Sequence, residues 1–437
     1  MTASMKLSTR PYKGARDFYP EDMRLQNYIF SVWHEVCQSF GYEEYTAPIL
    51  ENAEIYEAKS GQEIVNEEMY VFTDRGDRRV AIRPEMTPTV SRMVAGRRQE
   101  LAYPLRWYSI PNLWRYDRPQ RGRLREHWQL NADIFGLDTV SAETEIIKLA
   151  DAIMKRFGAK RTMYEIRINS RHFVDHLLKT YLGLSEVEAH TIAKLIDKMH
   201  KMSQAEFIAL VDAAMSPSHR DADTTQKLLA VLATQNPDEL PAELAAHSSL
   251  DRLGDVMVQL EAAGMTNARF DVTLMRGFDY YTDIVFEVFD LHPDNNRSLF
   301  GGGRYDGLVG MFGVEPVPTV GFGQGDVGMQ LFLESHDLLP TLMPSTELYI
   351  ALATEDTGRA EQVISSLREE GVRVAVDYSR RKVGAQVKVA DKKGIPFVVV
   401  LGDNELKSER FMLKNLSSGH EQELSLARLI SVIKDVR

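Results

Sequence analysis

The hydrophobic period of this chain changes along its length, and that change limits the possible folds more than any single motif does. The first 170 residues mix two periods. PEDMRLQNYIFSVWHEVCQSFG spaces its apolar residues as a helix does and stops at Gly41, a natural helix end. EEMYVFTDRGDRRVAIRPE alternates apolar and polar residues on both sides of DRGD, the pattern of a β-hairpin with a glycine turn. A larger hairpin is predicted in YPLRWYSIPNLWRYDRPQRGRLREHWQLNADIFG, with strands near 105–116 and 125–135 and a polar loop tipped by Pro119 and Gly122. TVSAETEIIKLADAIMKRFG then reads as a helix and YEIRINS as a strand. From 172 to about 262 the strand signal vanishes, and Leu, Ile and Ala recur at helical spacing, which predicts a helical insertion. Strands return at ARFDVTLMRGFDYYTDIVFEVFD. HDLLPTLMPSTE, near 336–346, reads as a linker. Beyond it, β and α periods alternate through ELYIALAT, GRAEQVISSLREEG, VRVAVDYS, KVGAQVKVADKKG and FVVVLG. Such alternation predicts a small, largely parallel sheet with helices on both faces, so the chain is α/β in class.

A length of 437 residues predicts two or three domains. A single cysteine, Cys37, excludes a disulfide framework and argues against a cysteine zinc site. The N-terminal MTASMKLSTRPYKGARDF has no apolar core of signal-peptide length, and no run has the length needed to cross a bilayer. A cytoplasmic location with no membrane partner is therefore expected. The formal net charge of −11 argues against a nonspecific DNA coat but leaves room for a local basic patch that grips one defined polyanion.

Such a patch exists. RYDRPQRGRLREHWQ, residues 115–129, places five arginines in its first eleven residues with one acid, Asp117, among them. Arginine on a paired strand is set for a planar, bidentate grip on phosphate, and arginine in the loop can reach a second, larger anion. The plainer reading, a solvated basic hairpin edge, is weakened by Trp114, Tyr116, His127 and Trp128 interleaved at strand period. RPEMTP offers Glu85 and Thr87 for a ligand ammonium group, although Thr87 also fits as an N-cap before Pro88. In LMRGFDYYTDIVFEVF, strand alternation puts Tyr280 and Tyr281 on opposite faces, so at most one would line a given pocket. GGGRYDG permits close backbone approach to a ligand, or a tight bend. No Gly-Lys-Ser/Thr follows, which excludes a phosphate loop of the lysine type. GFGQGD lacks the spacing and the following acid of a dinucleotide fingerprint. His172 and His176 lie four apart on a predicted helix, yet no third ligand is near, and no metal site is expected.

Together these segments resemble the class II aminoacyl-tRNA synthetases, and within them the histidyl-tRNA synthetase family. RGFDYYTDIVFEVF and GGGRYDGLVG resemble that family's two histidine signatures. LWRYDRPQRGRLREHWQ resembles the class motif 2, and the region around Pro48 in YEEYTAPILE is similar to motif 1, a dimer-interface element. The resemblance covers essentially the whole chain. It implies an α+β catalytic domain over 1–336, with an antiparallel sheet flanked by helices and the insertion at 172–262, then an anticodon-binding α/β domain over 345–437. It further implies ATP-dependent ligation of histidine to tRNA(His) through a histidyl-adenylate, with ATP and Mg2+ as cofactors, in a homodimer.

By matching position, Arg115 would bind the α-phosphate and Arg123 the outer phosphates. Glu85, Thr87 and Gln129 would hold the α-amino group. Tyr281, grouped with Tyr280, would bond one imidazole nitrogen, and Asp133 the other, where the family commonly has glutamate. Arg276 would sit at the reacting carboxylate and phosphate, and Tyr305 would line the histidine pocket. Arg118, Gln120, Arg121 and Arg125 would meet tRNA, and the basic segment 379–393 its anticodon end. One departure stands out. Motif 3 of the class usually ends Gly-x-Glu-Arg, the arginine packing on the adenine, whereas VGFGQGDVGMQLFLE has Val327 and Gly328 there. The neighbouring Asp326 is a candidate for a magnesium or solvent role. The missing arginine also raises an alternative, a non-catalytic paralogue acting as a regulatory subunit in histidine biosynthesis. An RNA-binding or amino-acid-sensing module on the same fold is a second alternative. The C-terminal domain, the long arginine-rich loop and the intact RGFDYY oppose the paralogue.

Overall fold

A computed structural model describes residues 7–57, 68–220, 222–275, 280–295 and 297–435. The chain divides into two compact units, one of Met1–Asp17 with Gln26–Leu339, the other of Phe18–Leu25 with Pro340–Arg437.

Helix α1 (Pro20–Ser39) begins on a proline, whose missing N–H costs nothing at a helix start, and buries a stripe of Ile29, Val32, Trp33 and Val36. Gly41 follows in the left-handed region at φ +78°. Next come β1 (Glu43–Glu44), β2 (Leu50–Asn52) and the short α2 (Glu54–Glu57). Strands β3 (Tyr70–Thr73) and β4 (Arg79–Ile82) are the smaller predicted hairpin. Its left-handed residue is Asp77 rather than the glycine. Asp74 holds the turn by accepting from the N–H groups of Gly76 and Arg78 at 2.8 and 3.0 Å.

After α3 (Thr87–Gly96), strands β5 (Leu105–Ser109), β6 (Asn112–Trp114) and β7 (Glu126–Phe135) build the larger hairpin. Its first arm, predicted as one strand, is two. Pro111 has no N–H to give a ladder, so the arm breaks there, and both pieces pair antiparallel with β7. Helix α4 (Val140–Arg156) and β8 (Tyr164–Ser170) follow where predicted. The stretch read as helical holds α5 (Arg171–Asp175), a π turn (His176–Tyr181), α6 (Glu186–Lys198), α7 (Gln204–Ala214), α8 (Ala222–Leu232), α9 (Ala242–Ala245) and α10 (Asp251–Ala262), with no strand among its described residues. Then β9 (Ala268–Phe270), β10 (Ile284–Asp290), β11 (Ser298–Arg304), β12 (Thr319–Gly325) and α11 (Asp326–Ser335) complete this unit.

Its main sheet has nine strands in the order β1-β5-β7-β12-β11-β10-β8-β9, with β6 pairing β7 off this path. Every pair from β5 to β8 along this order is antiparallel, and parallel pairs occur only at the two edges. Along β7, Leu130, Ala132 and Ile134 are 0% exposed and share one face. Helix α4 packs on that side: Gln324, opposite Leu130 in register, reaches Met154 Sδ at 3.8 Å. The odd-numbered residues of β7 from His127 to Asp133 face the other way, and they are polar.

The second unit contains β13 (Leu348–Leu352), α12 (Thr357–Glu369), β14 (Val374–Asp377), α13 (Val383–Lys392), β15 (Phe397–Leu401), α14 (Asp403–Ser408), β16 (Arg410–Asn415), β17 (Glu421–Ser425) and α15 (Leu426–Lys434). Its sheet runs β14-β13-β15-β16-β17. The first three strands are parallel, as the sequence reading expected, around a core that includes Ile350, Ile364, Val399 and Leu429. The antiparallel β16–β17 hairpin was missed. In these strands only Phe411, Leu413 and Leu424 are buried, too few apolar residues for a legible alternation.

Candidate active site

The polar face of the main sheet borders a cavity of about 450 Å³. Strand β7 supplies Gln129, Asn131 and Asp133 at successive odd positions, the segment before α3 supplies Glu85, the first residue of α3 supplies Thr87, and Tyr280, Tyr281 and Tyr305 stand along the wall. Glycines keep the floor low. A Cβ on Gly321 would overlap Asp133 Oδ1, and one on Gly323 would overlap Gln129 Nε2. A Cβ on Gly301 would come within 2.9 Å of Glu287 Cγ. The glycines of GGGR and GFGQG therefore clear space for polar side chains that lie across the sheet.

Tyr280 and Tyr281 correct a sequence expectation. Both line this one cavity, with ring centroids 4.6 Å apart and planes inclined by 54°. Alternation does not govern them, because β10 begins only at Ile284. Tyr305 stands 6.0 and 6.4 Å from the two rings, and its hydroxyl donates to Asp133 Oδ1. Asp133 is 3% exposed. Burial raises its carboxyl pKa to about 7, against a downward pull from the Tyr305 hydrogen bond. Burial also pushes the phenols of Tyr280 and Tyr305 well above their usual range, so both keep their protons. Thr87 is not an N-cap. It is the first residue of α3, Met86 holds the cap position, and no side chain caps the end. Arg83 pins the adjoining segment by donating to the carbonyls of Ala47 at 2.7 Å and Asn112 at 2.9 Å.

A smaller cavity of about 150 Å³ adjoins the first, and Arg115, Gln129 and Gly323 line both. The residues of β7 explain the join. His127, Gln129, Asn131 and Asp133 form one row at strand period, roughly 20 Å long, which begins in the small cavity and ends in the large one. Arg115 is fixed at the seam by donating from Nε to the Pro84 carbonyl at 2.8 Å. His127 is held neutral, its pKa lowered to about 3 by burial and by Arg115 nearby. Leu299, Phe300, Val327 and Leu331 give the small cavity an apolar wall, and Arg123 and Arg297 bring cations to it.

The hairpin loop distributes its arginines unequally. Its tip is closed by two backbone bonds of 3.0 Å between Gln120 and Arg123. Arg118, Gln120 and Arg121 are exposed. Arg123 lies 3.4 Å from Asp117. Arg125 is only 7% exposed, stacks 3.8 Å over the Tyr116 ring, and donates to the Asp117 carbonyl and the Tyr12 hydroxyl, both at 3.1 Å. Its expected contact with RNA is therefore corrected, because a buried guanidinium with these partners is a strut of the hairpin. Arg276, with the rest of the RGFD stretch, lies outside the described residues. Asp326 is 2% exposed, lines neither cavity, and is held by Arg16 at 2.6 Å and the Trp128 N–H at 3.0 Å, so a magnesium or solvent role does not fit it. His176 stacks on His247 at 3.4 Å instead of pairing with His172. Among the described residues no three His, Cys, Asp or Glu side chains form a group suited to a metal ion.

Sequence reasoning missed four kinds of lining residue. Asn131 was within reach, because it shares the period of Gln129 and Asp133. Glu287 sits inside an apolar strand, and Arg297 lies in a turn. Lys194, Asp197 and Lys198 come from α6, in the helical stretch. No local signal points any of these last residues toward the sheet.

No described helix is long and apolar enough to cross a membrane. The chain is 43% identical over 433 residues to a histidine–tRNA ligase of Leptospira biflexa, covering 98% of each chain. It is 34% identical to a histidine–tRNA ligase of Thermoplasma volcanium, covering 97% of each. Its fold matches a crystal structure of histidyl-tRNA synthetase from Nostoc sp. with a TM-score of 0.82 at 23% identity, over 99% of this chain and 100% of that one. A Bacillus halodurans structure titled as an ATP phosphoribosyltransferase regulatory subunit/histidyl-tRNA synthetase matches over 91% of this chain and 100% of that one, with a TM-score of 0.74 at 23% identity. At 23% identity these two matches show the fold alone. The anticodon binding domain model matches residues 347–436 and the histidyl-tRNA synthetase model residues 14–324, so the chain belongs to the histidyl-tRNA synthetase family.

Proposed function

We propose that the chain joins histidine to its cognate tRNA at the two linked cavities, in two steps. In the first, an oxygen of the histidine carboxylate attacks the α-phosphorus of ATP. A new carboxyl–phosphate bond forms, the bond to the β-phosphate bridging oxygen breaks, and pyrophosphate leaves. In the second, a ribose hydroxyl at the tRNA terminus attacks the acyl carbonyl, and AMP leaves. The observation that carries this reading is the seam, where Arg115 stands in the wall of both cavities. A fixed guanidinium there stabilises the charge that builds on the phosphoryl oxygens without reorganising. Little covalent work is left for the protein, so no side-chain nucleophile is needed.

Histidine occupies the larger cavity. Asp133 and Tyr281 take the two imidazole nitrogens, with Tyr280 and Tyr305 beside the ring. Glu85, Thr87 and Gln129 hold the α-amino group. An apolar amino acid would leave these buried polar groups unpaired, which costs roughly 10⁴ or more in selection. Arg123 turns from Asp117 to the outer phosphates of ATP, whose magnesium ion arrives with it as part of the substrate. Arg276 shares with Arg115 the task of neutralising the reacting carboxylate and phosphate. Arg118, Gln120 and Arg121 grip the acceptor end of the tRNA. Exposure of Arg380, Arg381, Lys388 and Lys392 supports an anticodon contact in the second unit. The functional domains are 1–336, with the insertion at 172–262, and 345–437. Ile49, Leu50, Val71 and Phe72 are exposed apolar residues at the β2-β4-β3 sheet, which supports a homodimer through that region. The compartment is the cytoplasm. The 43% identity to a histidine–tRNA ligase over 98% of each chain, together with the match of residues 347–436 to the anticodon binding domain, argues against the regulatory reading.

Exchange of labelled pyrophosphate into ATP tests the first step. It should require histidine, and the enzyme should then charge tRNA(His). Absence of histidine-dependent exchange at high enzyme and ATP would contradict catalysis and favour the regulatory paralogue.

A further inference from the structure

We propose that Arg297 is the side chain that clamps the nucleobase of ATP in the smaller cavity. This rests on the ATP reading above and adds a residue to it. Leu299, Phe300, Val327 and Leu331 give the cavity apolar lining, with the neutral ring of His127 beside its polar groups. That suits an uncharged aromatic base better than a phosphate. Arg115, at the junction with the large cavity, and Arg123 also line it, so the phosphates belong against those two guanidiniums and the base against the apolar lining. Gly328, which lines the same cavity, offers no side chain to cover the base.

Arg297, just before β11, brings a guanidinium to this place. Its Nη1 donates to the Arg121 carbonyl at 2.7 Å. The loop is shaped to admit it: Gly122 has φ +79°, and a Cβ there would stand 2.6 Å from Arg297 Nη1. No ion pair to Arg297 occurs among the described residues. A planar cation of this kind, held at one edge, can lay its face on a purine. Because its anchor is a backbone carbonyl of the loop that carries Arg123, nucleobase binding and loop order are joined through one side chain.

Titration calorimetry on the full chain reads this directly, whether or not the exchange reaction runs. Arg297→Ala should weaken ATP binding about tenfold, the scale of one desolvated cation–π contact. Binding of inorganic tripolyphosphate, which has the phosphates without the base, should change less than twofold, and so should histidine binding. In the Arg297→Ala background, Gly328→Arg should recover most of the ATP affinity. There is room for it, since a Cβ at 328 meets only the Leu299 carbonyl, at 3.5 Å. Unchanged ATP affinity in Arg297→Ala overturns the proposal. Equal losses for ATP and tripolyphosphate also overturn it, leaving Arg297 as a strut for the loop. A wild type that binds ATP through Arg297 but gives no exchange would sink the catalytic reading while leaving this one standing.

Discussion

Asp133 and Tyr305 form a buried acid–phenol pair at the end of the β7 row, and their coupling is open to titration. Burial destabilises the carboxylate and raises its pKa to about 7, and the Tyr305 hydroxyl opposes that rise by donating to the charged form. Tyr305→Phe removes the opposing bond, so the Asp133 pKa should climb further. The ionised carboxylate is the better acceptor for an imidazole N–H. Histidine kcat/KM should therefore fall as pH drops through about 7 in the wild type, and this limb should move to higher pH in Tyr305→Phe. Free histidine titrates near 6.5 in both experiments, so the displacement between the two profiles isolates the enzyme group. A limb that stayed in place would mean that Asp133 is not the group titrating. None of this was legible in the sequence beyond the identity of the residues. The same holds for Tyr280 and Tyr281, which strand period separates and which a turn before β10 brings side by side.

The hairpin of β6, its loop and β7 shows how far residue type alone carries an assignment. In the sequence its five arginines differ only in lying on a strand or in the loop and in the roles that the resemblance implies. In the fold one is fixed at the seam, one faces Asp117, one is buried and two are exposed. The predictions differ accordingly. Changing Arg118 and Arg121 together to Ala should lower tRNA charging several-fold while leaving histidine-dependent exchange within about twofold, because neither lines either of the two linked cavities and each is proposed to contact a tRNA phosphate. Arg125→Ala should instead lower the unfolding free energy by about 1–3 kcal/mol, through loss of the Tyr116 stacking and two hydrogen bonds. Equal losses of exchange and charging in the Arg118/Arg121 variant would place those residues on ATP rather than RNA. Period and turn signals located this hairpin to within a few residues, since a ten-residue strand with alternating polarity is a strong pattern. The break at Pro111 needed only a stricter use of proline's missing N–H.

Across the whole chain, the shift from mixed to helical to alternating periods identified the helical stretch and the parallel part of the second sheet. It failed where burial is sparse, as in β16 and β17, and where the partner lies far away in sequence. Helix α6 is amphipathic on its own terms, and nothing local reveals that Lys194 and Lys198 border a cavity built on β7. The central claim is that one continuous space joins an imidazole site to a nucleotide site with Arg115 at the junction. A crystal structure of the full chain with a non-hydrolysable histidyl-adenylate analogue tests it most directly. The account predicts the imidazole against Asp133 and Tyr281, the phosphorus analogue beside Arg115, and the base in the cavity of His127 and Phe300. An analogue whose phosphorus lay away from Arg115, or whose two ends shared a single cavity, would contradict it.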